Sequence, residues 1–378
     1  MNYEELMSRA ISLAARGHPS PNPKVGAVIY KDGRVIGEGF HRKKGEAHAE
    51  VEALAACSED PSGSVLVVTL EPCCHSGKEK LTPPCTDAII FGNITTVVVG
   101  SLDPNPLVSG RGVERLRKAG IRVIVGVMQD ECLDLNLHYI HHRRTGRPFV
   151  HLKMAQTLDG FAAFPGGGGA ITGEVVRREV HLLRADYQAV LVGSGTVRQD
   201  KPQLNVRAVF RTGSESNVTY TNPIKIILNS GLDLDPEVST FSSPDTVWII
   251  GGEDKSKEKL GVWQEAGIPV ILLPLNSDGR IDLPVFLEVL GQRGIISLLV
   301  EGGPQLAKSF LDESLVDEFS LYLSPRYLGA GLPVITKDSS LDPSETGLRF
   351  VETRTSGSDL LIRFYRQYIP EAESCLQG

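Results

Sequence analysis

Two cysteines that each follow a proline mark the stretch EPCCHSGKEKLTPPC, residues 71–85. They are Cys73 and Cys85, and the sequence HAE, which contains His48 and Glu50, precedes them. One imidazole and two thiolates can hold a zinc ion, which lowers the pKa of a bound water toward about 7 and makes hydroxide available. Glu50, which does not bind the metal, can then carry the proton of that water to a departing ammonia. These residue types in this order predict a zinc-dependent deaminase.

The sequence leaves other assignments of these cysteines open. A disulfide between Cys73 and Cys85 is one alternative, although a reducing cytosol disfavours it. Cys74 and His75 are spare donors, and either can replace Cys73 as a ligand. The remaining cysteines stand alone and are expected to be inert thiols: Cys57, Cys132 and Cys375.

The elements around these residues are expected to bring them to one edge of a sheet. Residues i and i+2 point about 200° apart on a helix, so His48 and Glu50 can share a water only if His48 lies at the helix start. Gly45 makes the turn before that helix possible. Cys85 follows two prolines at the start of its own helix, where the helix dipole favours a thiolate, and Cys73 follows the strand SVLVVTL. Strand ends and helix starts meet where open α/β sheets usually bind ligands.

Residues 1–145 alternate between strand and helix patterns, which predicts a sheet covered by helices. A helix is predicted over 3–16, a hairpin around Asp32-Gly33, and one last helix over the stretch DECLDLNLHYIHHRRTG. Further helices are predicted at HAEVEALAA, PPCTDAIIFG and RGVERLRKAG, and further strands at SVLVVTL, ITTVVVG and IRVIVG.

The stretch RTGRPF, residues 144–149, is predicted to join two domains, one over 1–145 and one over 149–369. Residues 211–222 are expected to form an exposed loop and residues 370–378 a tail. Two late apolar runs, VDEFSLYLSP and LLIRFYRQY, predict antiparallel strands. Earlier strands of the second domain are predicted at FVHLKMA, QAVLVGSG, IKIILNS, TVWIIGG, IPVILLP and ISLLVEGG, with helices between most of them.

The composition favours a soluble two-domain protein, with 378 residues, 41% hydrophobic and 22% charged. No run of eighteen apolar residues and no signal core occur, so we expect no membrane association and a cytoplasmic location. The net charge of −7 argues against a nucleic-acid partner, and the basic run HHRRTGR is interpreted as a solvated helix end.

The stretch VEGGPQLAKSF, residues 300–310, leaves a strand and opens a helix with two glycines. Backbone N–H groups at such a turn can hold a phosphate, although the stretch is not the Rossmann glycine fingerprint. A tight strand-to-helix turn without a ligand remains the alternative.

A family resemblance extends these inferences. HAE with EPCCHSG and TPPC resembles the cytidine-deaminase superfamily, and PNPKVGAVI (21–29) with SLDPNPLVSGRGVERLRKAGI (101–121) resembles the bifunctional riboflavin-biosynthesis deaminase/reductases over roughly 1–369. The resemblance implies a cytidine-deaminase-like α/β/α sandwich followed by a dihydrofolate-reductase-like α/β domain. It also implies a pyrimidine ribose phosphate substrate, Zn²⁺ and NADPH as cofactors, and a homo-oligomer.

In the first half, the resemblance implies that Asn22 hydrogen-bonds the pyrimidine ring. Two flanking prolines hold Asn22 out of a helix, and a plain turn residue is the alternative. The loop between the two cysteines is longer here than in the family, around KEKL at 78–81, and this insertion can alter the rim that meets the sugar phosphate.

In the second half, HLKMAQTLDGFAA (151–163), LLRADYQAVLVGSGTVRQDKPQLNVR (182–207) and LLVEGGPQLAKSF resemble a reductase that converts a ribosyl group to ribityl. The resemblance implies catalytic roles for Lys153 and Asp200. Positions implied to meet NADPH are Ala155, Ala170, Thr196, Asp200, Ser230, Gly303, Pro304, Gln305 and Leu306. Positions implied to meet substrate are Gly168, Arg184, Leu204, Arg207 and Glu301. Surface ion pairing is the alternative for the two arginines, which otherwise suit a phosphate.

The glycine-rich stretch GGGGAIT, residues 166–172, departs from the family pattern. Gly168 and Ala170 stand where the family usually has serine and tryptophan, so one hydroxyl contact and one apolar wall are lost. We expect a working reductase that binds its ligands less tightly. A deaminase with an inactive second domain is the alternative, and a nucleic-acid base deaminase is disfavoured by the acidic charge.

Overall fold

The structure is a computed structural model that describes residues 2–74, 83–105, 109–166, 169–207, 221–243, 246–254, 257–334 and 346–366. The chain divides into two compact units, Met1–Arg147 and Pro148–Gly378, within the predicted joint RTGRPF. The predicted tail and most of the predicted loop at 211–222 lie outside the described residues, as do His75, the KEKL stretch and Gly168.

The first unit is built on a five-stranded sheet in the order β2-β1-β3-β4-β5. β1 runs antiparallel to β2 and to β3, whereas β3, β4 and β5 are parallel. The predicted hairpin turn is confirmed at Asp32 and Gly33, which both have positive φ angles. The elements are α1 (Tyr3–Ala14), β1 (Gly26–Lys31), β2 (Arg34–Phe40), α2 (Ala49–Ala55), β3 (Val65–Leu70), α3 (Cys85–Phe91), β4 (Thr96–Ser101), α4 (Arg111–Lys118), β5 (Arg122–Val125), α5 (Gln129–Leu135) and α6 (Leu137–Thr145).

Helices cover both faces of this sheet, because its buried strands carry apolar side chains on both sides. On one face, residues of β1, β3 and β4 pack with α2, α3 and α4, as in the contacts of Ala53, Ile89 and Leu116. On the other face, Val67 and Val98 pack with α1 and with Cys132 of α5. The predicted α/β/α sandwich is therefore confirmed.

One predicted helix of this unit is wrong, because the stretch DECLDLNLHYIHHRRTG forms two helices that meet at Asn136. The side chain of Asn136 accepts from the N–H of Lys24 at 2.7 Å and donates to its carbonyl oxygen at 2.8 Å. Asn136 leaves helical geometry, with φ −119° and ψ 22°, while it pairs with a segment far away in sequence. Helical spacing alone cannot predict such a break.

The second unit contains a nine-stranded sheet in the order β11-β10-β9-β8-β12-β6-β13-β16-β15. Neighbours from β11 to β13 are parallel, and β13, β16 and β15 are antiparallel, as predicted for the two late apolar runs. The strands are β6 (Phe149–Thr157), β7 (Phe161–Ala163), β8 (Ala189–Gly193), β9 (Ile224–Leu228), β10 (Val247–Gly252), β11 (Val270–Leu273), β12 (Ser297–Val300), β13 (Glu318–Ser324), β14 (Leu332–Pro333), β15 (Leu348–Ser356) and β16 (Asp359–Arg366). The helices are α7 (Glu174–Asp186), α8 (Ser194–Asp200), α9 (Lys257–Glu265), α10 (Leu283–Gln292) and α11 (Pro304–Asp312).

The larger core of the second unit lies between the sheet and the helices α10 and α11. Leu152 of β6, Phe286 of α10 and Phe310 of α11 are fully buried there. A smaller cluster on α7 contains Val176 and Val180. Helices therefore cover this sheet as well, which confirms the prediction of two α/β domains. Within the residues described, no helix has the length and apolar character needed to cross a membrane.

Candidate functional site in each half of the chain

In the first unit, the side chains of His48, Cys73 and Cys85 converge. The Nδ1 atom of His48 lies 3.2 Å from the sulfur of Cys85 and 3.6 Å from the sulfur of Cys73. All three ligand atoms lie within 4.8 Å of one another, the separation that a single metal ion can span. The structure therefore brings together the three predicted ligands.

His48 reaches the cluster because it lies immediately before α2. Its backbone is extended, with φ −75° and ψ 160°, and Gly45 before it has a φ of 90° that suits glycine. The helix lies close against β2, since a Cβ on Gly39 would come within 2.4 Å of the carbonyl oxygen of Ala49. The turn and the close approach together direct the start of α2 toward Cys73 and Cys85.

The two cysteines come from different elements, as the sequence predicts. Cys85 is the first residue of α3 and is fully buried, and its N–H donates to the sulfur of Cys73 at 3.3 Å. The N–H of Thr86 donates to the carbonyl oxygen of Cys73 at 3.2 Å. Both bonds tie Cys73 to the N-terminus of α3, where the helix dipole favours thiolate charge.

The alternatives for these cysteines find no support in the structure. No disulfide joins Cys73 and Cys85. Cys74 does not belong to the ligand cluster found among the described residues, and His75 lies outside them. One imidazole and two thiolates form a donor set that suits zinc and leaves a fourth coordination position for a non-protein ligand.

Glu50 lies in the first turn of α2 beside this cluster and is 3% exposed. Burial, and then the negative charge of Cys73, raise the pKa of Glu50 to about 7. A carboxyl group with a pKa near neutrality can both accept and donate a proton in the physiological range. The arrangement supports the expected proton carrier next to a metal site.

Asn22 lies in the loop between α1 and β1 and reaches the same region through His41. The Nδ2 atom of Asn22 lies 3.3 Å from His41 Nε2, and the ring of His41 packs edge-on against the ring of His48, with 5.2 Å between centroids. Asn22 is thus one side chain removed from the predicted metal ligands.

In the second unit, a charged group forms where β6, β12 and α7 meet. Glu301, directly after β12, accepts from Arg184 Nε at 2.6 Å and from Arg184 Nη2 at 3.0 Å. The Nζ atom of Lys153 on β6 lies 3.8 Å from the same carboxylate. The side chains of Glu301 and Arg184 are 7% and 13% exposed, so the ion pair that Arg184 forms is largely buried and does not lie at the surface.

The charges in this group shift one another's pKa values. Burial opposes the ionisation of Glu301, but Arg184 and Lys153 outweigh it and hold the pKa of that carboxyl below its usual range. Burial lowers the pKa of the Lys153 ammonium, against the attraction of Glu301. A lysine with a lowered pKa gives up its proton more readily than an exposed one.

The segment that carries Leu204 and Arg207 is attached to α7 by hydrogen bonds between side chains of that helix and the backbone of the segment. Arg184 Nη1 donates to the carbonyl oxygen of Asn205 at 3.2 Å, and the ring of His181 bonds the same oxygen at 3.0 Å. Leu204 is buried and has a positive φ of 52°, while Arg207 is exposed. The structure thus brings this predicted substrate segment next to Arg184.

Six of the predicted cofactor positions follow the carboxyl ends of three adjacent parallel strands. Thr196 lies in α8 after β8, Ser230 follows β9, and Gly303 precedes α11 after β12. A Cβ on Gly303 would lie 3.7 Å from the hydroxyl of Thr196, so these two residues face each other. The helix α11 begins at Pro304 and continues through Gln305 and Leu306. Its N-terminus points to this edge of the sheet and can bind an anion there.

Several predicted positions are not brought into these groups. Asp200 is exposed at the end of α8, and among the described residues it has no hydrogen bond or ion pair with Lys153, Arg184 or Glu301. Ala170 is exposed, and its carbonyl oxygen accepts from Arg326 at 2.9 Å. Ala155 lies two residues after Lys153 on β6 and packs near α7, and Gly168 lies outside the described residues.

Two buried polar residues near the first site, His41 and Glu71, were not predicted from the sequence. His41 links Asn22 to His48, and Glu71 accepts from the N–H groups of Gly110 at 2.9 Å and Val113 at 3.1 Å. Glu71 thereby fastens the end of β3, two residues before Cys73, to the start of α4. The sequence feature that could have indicated them is their position: His41 lies shortly before HAE, and Glu71 lies directly before the first Pro-Cys pair.

Sequence models of two protein families match the chain. The cytidine and deoxycytidylate deaminase zinc-binding region matches residues 1–101, which include the cluster of His48 and Cys73. The RibD C-terminal domain matches residues 148–362, which include Lys153, Arg184 and Glu301.

Curated proteins and solved structures resemble the chain over nearly its full length. The riboflavin biosynthesis protein RibD of Aquifex aeolicus is 41% identical and aligns with 97% of this chain and 98% of its own. The Escherichia coli RibD protein is 40% identical over 87% of this chain and 89% of its own. A structure of Acinetobacter baumannii RibD superimposes with a TM-score of 0.84 at 35% identity, covering 97% of this chain and 99% of that one. The Thermotoga maritima diaminohydroxyphosphoribosylaminopyrimidine deaminase/5-amino-6-(5-phosphoribosylamino)uracil reductase superimposes with a TM-score of 0.81 at 38% identity, with the same coverage.

Proposed function

The chain belongs to the RibD family and is a bifunctional deaminase/reductase of riboflavin biosynthesis, and from this premise we propose how its residues perform the two reactions. The first domain, residues 1–145, deaminates 2,5-diamino-6-ribosylamino-4(3H)-pyrimidinone 5′-phosphate. The second, residues 149–369, reduces the ribosyl group with NADPH to give 5-amino-6-ribitylaminouracil 5′-phosphate. Each domain contains one of the two buried groups of side chains described above.

His48, Cys73 and Cys85 would hold Zn²⁺, which fits their donor atoms and their mutual distances. When bound, the zinc activates water for attack on the carbon that carries the amino group. The N–H of Cys85 and the N-terminus of α3 stabilise the negative charge of the Cys73 sulfur.

Glu50 is the proton carrier of the deaminase. Its carboxyl group lies at the start of α2, close to Cys85, and has a pKa near 7, so it can take up a proton from water and pass it to the leaving amino group. Asn22 binds the pyrimidine ring, and its half-buried position beside His41 supports this assignment.

For the reductase, we assign the cofactor contacts to Ala155, Ala170, Thr196, Asp200, Ser230 and the turn from Gly303 to Leu306. The N-terminus of α11, where Gly303 faces Thr196, supports the assignment of NADPH. A helix N-terminus favours a phosphate group, and NADPH carries phosphates. When bound, NADPH supplies the two electrons of the reduction.

The charged group of the second domain positions the substrate and handles its proton. Lys153, with its lowered pKa and Glu301 beside it, is assigned as the proton donor at Nζ. Glu301 already binds two hydrogen-bond donors of Arg184, so Arg184 orients Glu301 and the segment of Leu204. The exposed Arg207 is the better candidate for the substrate phosphate. We assign Asp200 to the orientation of either the substrate or NADPH.

The convergence of His48, Cys73 and Cys85 is the observation that carries the deaminase assignment. Incubation of the purified protein with the diaminopyrimidinone substrate, followed by mass spectrometry, tests both reactions. Without NADPH we expect the deaminated ribosyl compound, and with NADPH the ribityl compound two hydrogens heavier. Absence of deamination by zinc-loaded protein would contradict the assignment.

The same experiment decides on the alternative of a deaminase with an inactive second domain. Accumulation of the deaminated ribosyl compound despite NADPH would favour that alternative, which the departures at Gly168 and Ala170 motivate. The buried group of Lys153, Arg184 and Glu301 supports an active reductase instead, because an unused set of buried charges carries a desolvation cost.

We also propose a cytoplasmic homo-oligomer that acts on a free small molecule. The described cysteines form no disulfide, which fits a reducing compartment. Phe350 and Val351 on the edge strand β15 are 59% and 53% exposed, and a second copy of the chain would cover them. Light scattering of the purified protein measures the assembly.

A further inference from the structure

His41 makes two hydrogen bonds whose chemistry fixes the orientation of a neighbouring side chain. It is 3% exposed and follows β2 directly. Its Nδ1 atom lies 3.0 Å from the carbonyl oxygen of Ala47, and its Nε2 atom lies 3.3 Å from Nδ2 of Asn22. Its ring also packs edge-on against that of His48.

The contact with Ala47 determines which ring nitrogen carries the hydrogen. A carbonyl oxygen can only accept, so Nδ1 of His41 must be the donor. In a neutral imidazole the other nitrogen is then an acceptor. Nε2 therefore requires a donor from Asn22, which is the NH₂ group of its amide and not the oxygen.

This requirement leaves the amide oxygen of Asn22 for another partner. Within the described part of the chain, Oδ1 of Asn22 has no hydrogen-bond partner, and the residue is half-buried. Rotation of the amide by 180° would bring its oxygen against the lone pair of Nε2, which is unfavourable. Asn22 therefore presents an acceptor, held in one orientation before any ligand arrives.

We propose that His41 is a positioning residue that fixes Asn22 so that its amide oxygen accepts a hydrogen bond from an N–H of the substrate ring. The inference rests on the proposed deaminase function. The pyrimidinone substrate carries such a donor at N3, next to the carbon that loses its amino group. In cytosine the ring nitrogen next to the amino-bearing carbon carries no hydrogen, so a fixed acceptor there selects against cytosine nucleotides.

The kinetic test uses two substitutions of His41 and a double-mutant cycle with Asn22. His41→Phe keeps a ring against His48 but loses both hydrogen bonds, and we expect the deaminase KM to rise about tenfold while kcat changes less than about threefold. His41→Gln can donate to Ala47 and accept from Asn22, and we expect it to restore part of the affinity. In an Asn22→Ala background, His41→Phe should raise KM by no more than about twofold, because the two residues act as one unit.

Multiplicative effects of Asn22→Ala and His41→Phe on KM would overturn the proposal, since they would show that His41 does not act through Asn22. Zinc content of each variant is measured in parallel, and an equal loss of zinc and activity in His41→Phe would also overturn it. Wild-type protein that binds no zinc and deaminates nothing would instead refute the proposed function itself.

A spectroscopic test needs no variant of uncertain stability. Nitrogen-15 NMR of the histidine side chains distinguishes the two neutral tautomers and the imidazolium. At neutral pH we expect His41 as the neutral tautomer with hydrogen on Nδ1. Hydrogen on Nε2 would overturn the proposal, because Asn22 would then have to turn its oxygen toward His41.

Discussion

Glu301 and Arg184 form a bidentate ion pair in the second unit, in which each carboxylate oxygen accepts one guanidinium N–H, at 2.6 and 3.0 Å. The pair is largely buried, and Lys153 adds a second positive charge 3.8 Å from the carboxylate. Two cations that share one buried carboxylate depend on it for charge balance. The pair should therefore contribute both to the free energy of unfolding of this unit and to its reductase activity.

Removal of the shared carboxylate should damage both properties. We expect Glu301→Gln to lower the free energy of unfolding of the second unit by about 3 kcal/mol and to abolish most reductase activity, while deamination persists. Both tryptophans, Trp248 and Trp263, lie in the second unit, so their fluorescence during urea unfolding reports on it. Glu265→Gln, at an exposed position on α9, is the matched control and should change stability by less than about 0.5 kcal/mol. Equal stabilities of the two variants would contradict the prediction.

The zinc ligands can be tested against a neighbouring cysteine. We expect roughly one zinc ion per chain in the wild type and little in Cys73→Ser or Cys85→Ser, with loss of deamination. Cys74→Ser is the matched control, because Cys74 does not join the ligand cluster among the described residues, and it should keep its zinc. Elemental analysis of the purified proteins gives the answer. Retention of zinc by Cys73→Ser and its loss from Cys74→Ser would reverse the assignment.

Glu50→Gln separates proton transfer from metal binding. We expect kcat for deamination to fall by about 10²- to 10⁴-fold while zinc content stays at the wild-type level, because Glu50 is not a ligand. Reduction of the separately supplied deaminated compound should continue, since that reaction belongs to the second unit. A variant that deaminates at the wild-type rate would exclude Glu50 as the proton carrier.

His151 predicts a pH dependence of stability in the second unit. It is buried between Tyr187 and Ser320, at 2.8 and 2.9 Å, and burial lowers its pKa although Glu318 lies 3.6 Å away. Because the folded pKa is below the unfolded value of about 6.5, the unfolded chain binds more protons in that window. Stability should therefore fall as the pH drops below about 6.5, with a slope of at most about 1.4 kcal/mol per pH unit from this residue.

The measurement is the urea midpoint, followed by tryptophan fluorescence between about pH 5.5 and 7.5. His151→Gln removes the titrating group, and we expect a flatter dependence on pH, whatever its effect on absolute stability. Parallel curves for the two proteins would show that His151 does not carry the effect.

The glycine-rich loop predicts weak cofactor binding. Ala170 is exposed at a position where the family usually has tryptophan, so we expect Ala170→Trp to lower the KM for NADPH by about three- to tenfold through new apolar contact. Ala170→Ser adds a side chain without that surface and should leave the KM near the wild-type value. An unchanged or higher KM in Ala170→Trp would refute the idea that the missing ring weakens binding.

Much of the fold follows from local patterns in the sequence. The hairpin at Asp32-Gly33 needs two positive φ angles, and the helix starts at His48 and Cys85 follow from a turn glycine and two prolines. The edge strand β15 escaped prediction because most of its side chains are exposed and show no apolar alternation. The break at Asn136 escaped because its cause, the pairing with Lys24, is distant in sequence.

The same division applies to the two sites. His48, Cys73 and Cys85 could be predicted as a group because metal ligands have restricted residue types and because their elements have clear starts. Glu50 could be predicted from its place in the sequence HAE, two residues after His48. The hydrogen bond between Asn22 and His41 could not be predicted, because it depends on which ring nitrogen of His41 faces Ala47. Nor does a sequence reveal that Arg184, an ordinary charged position on a helix, is directed inward to Glu301.

The position of β6 in its sheet has a consequence for biosynthesis of the protein. This strand is the first of the second unit, yet its two sheet neighbours, β12 and β13, come much later in the chain. Val150 donates to the carboxylate of Asp317, a contact that spans 167 residues. During synthesis the second unit must therefore keep an apolar strand without its partners until β12 and β13 have been made, whereas every strand of the first unit has been made by then. Chaperone dependence and slow maturation are expected to concentrate in the reductase half.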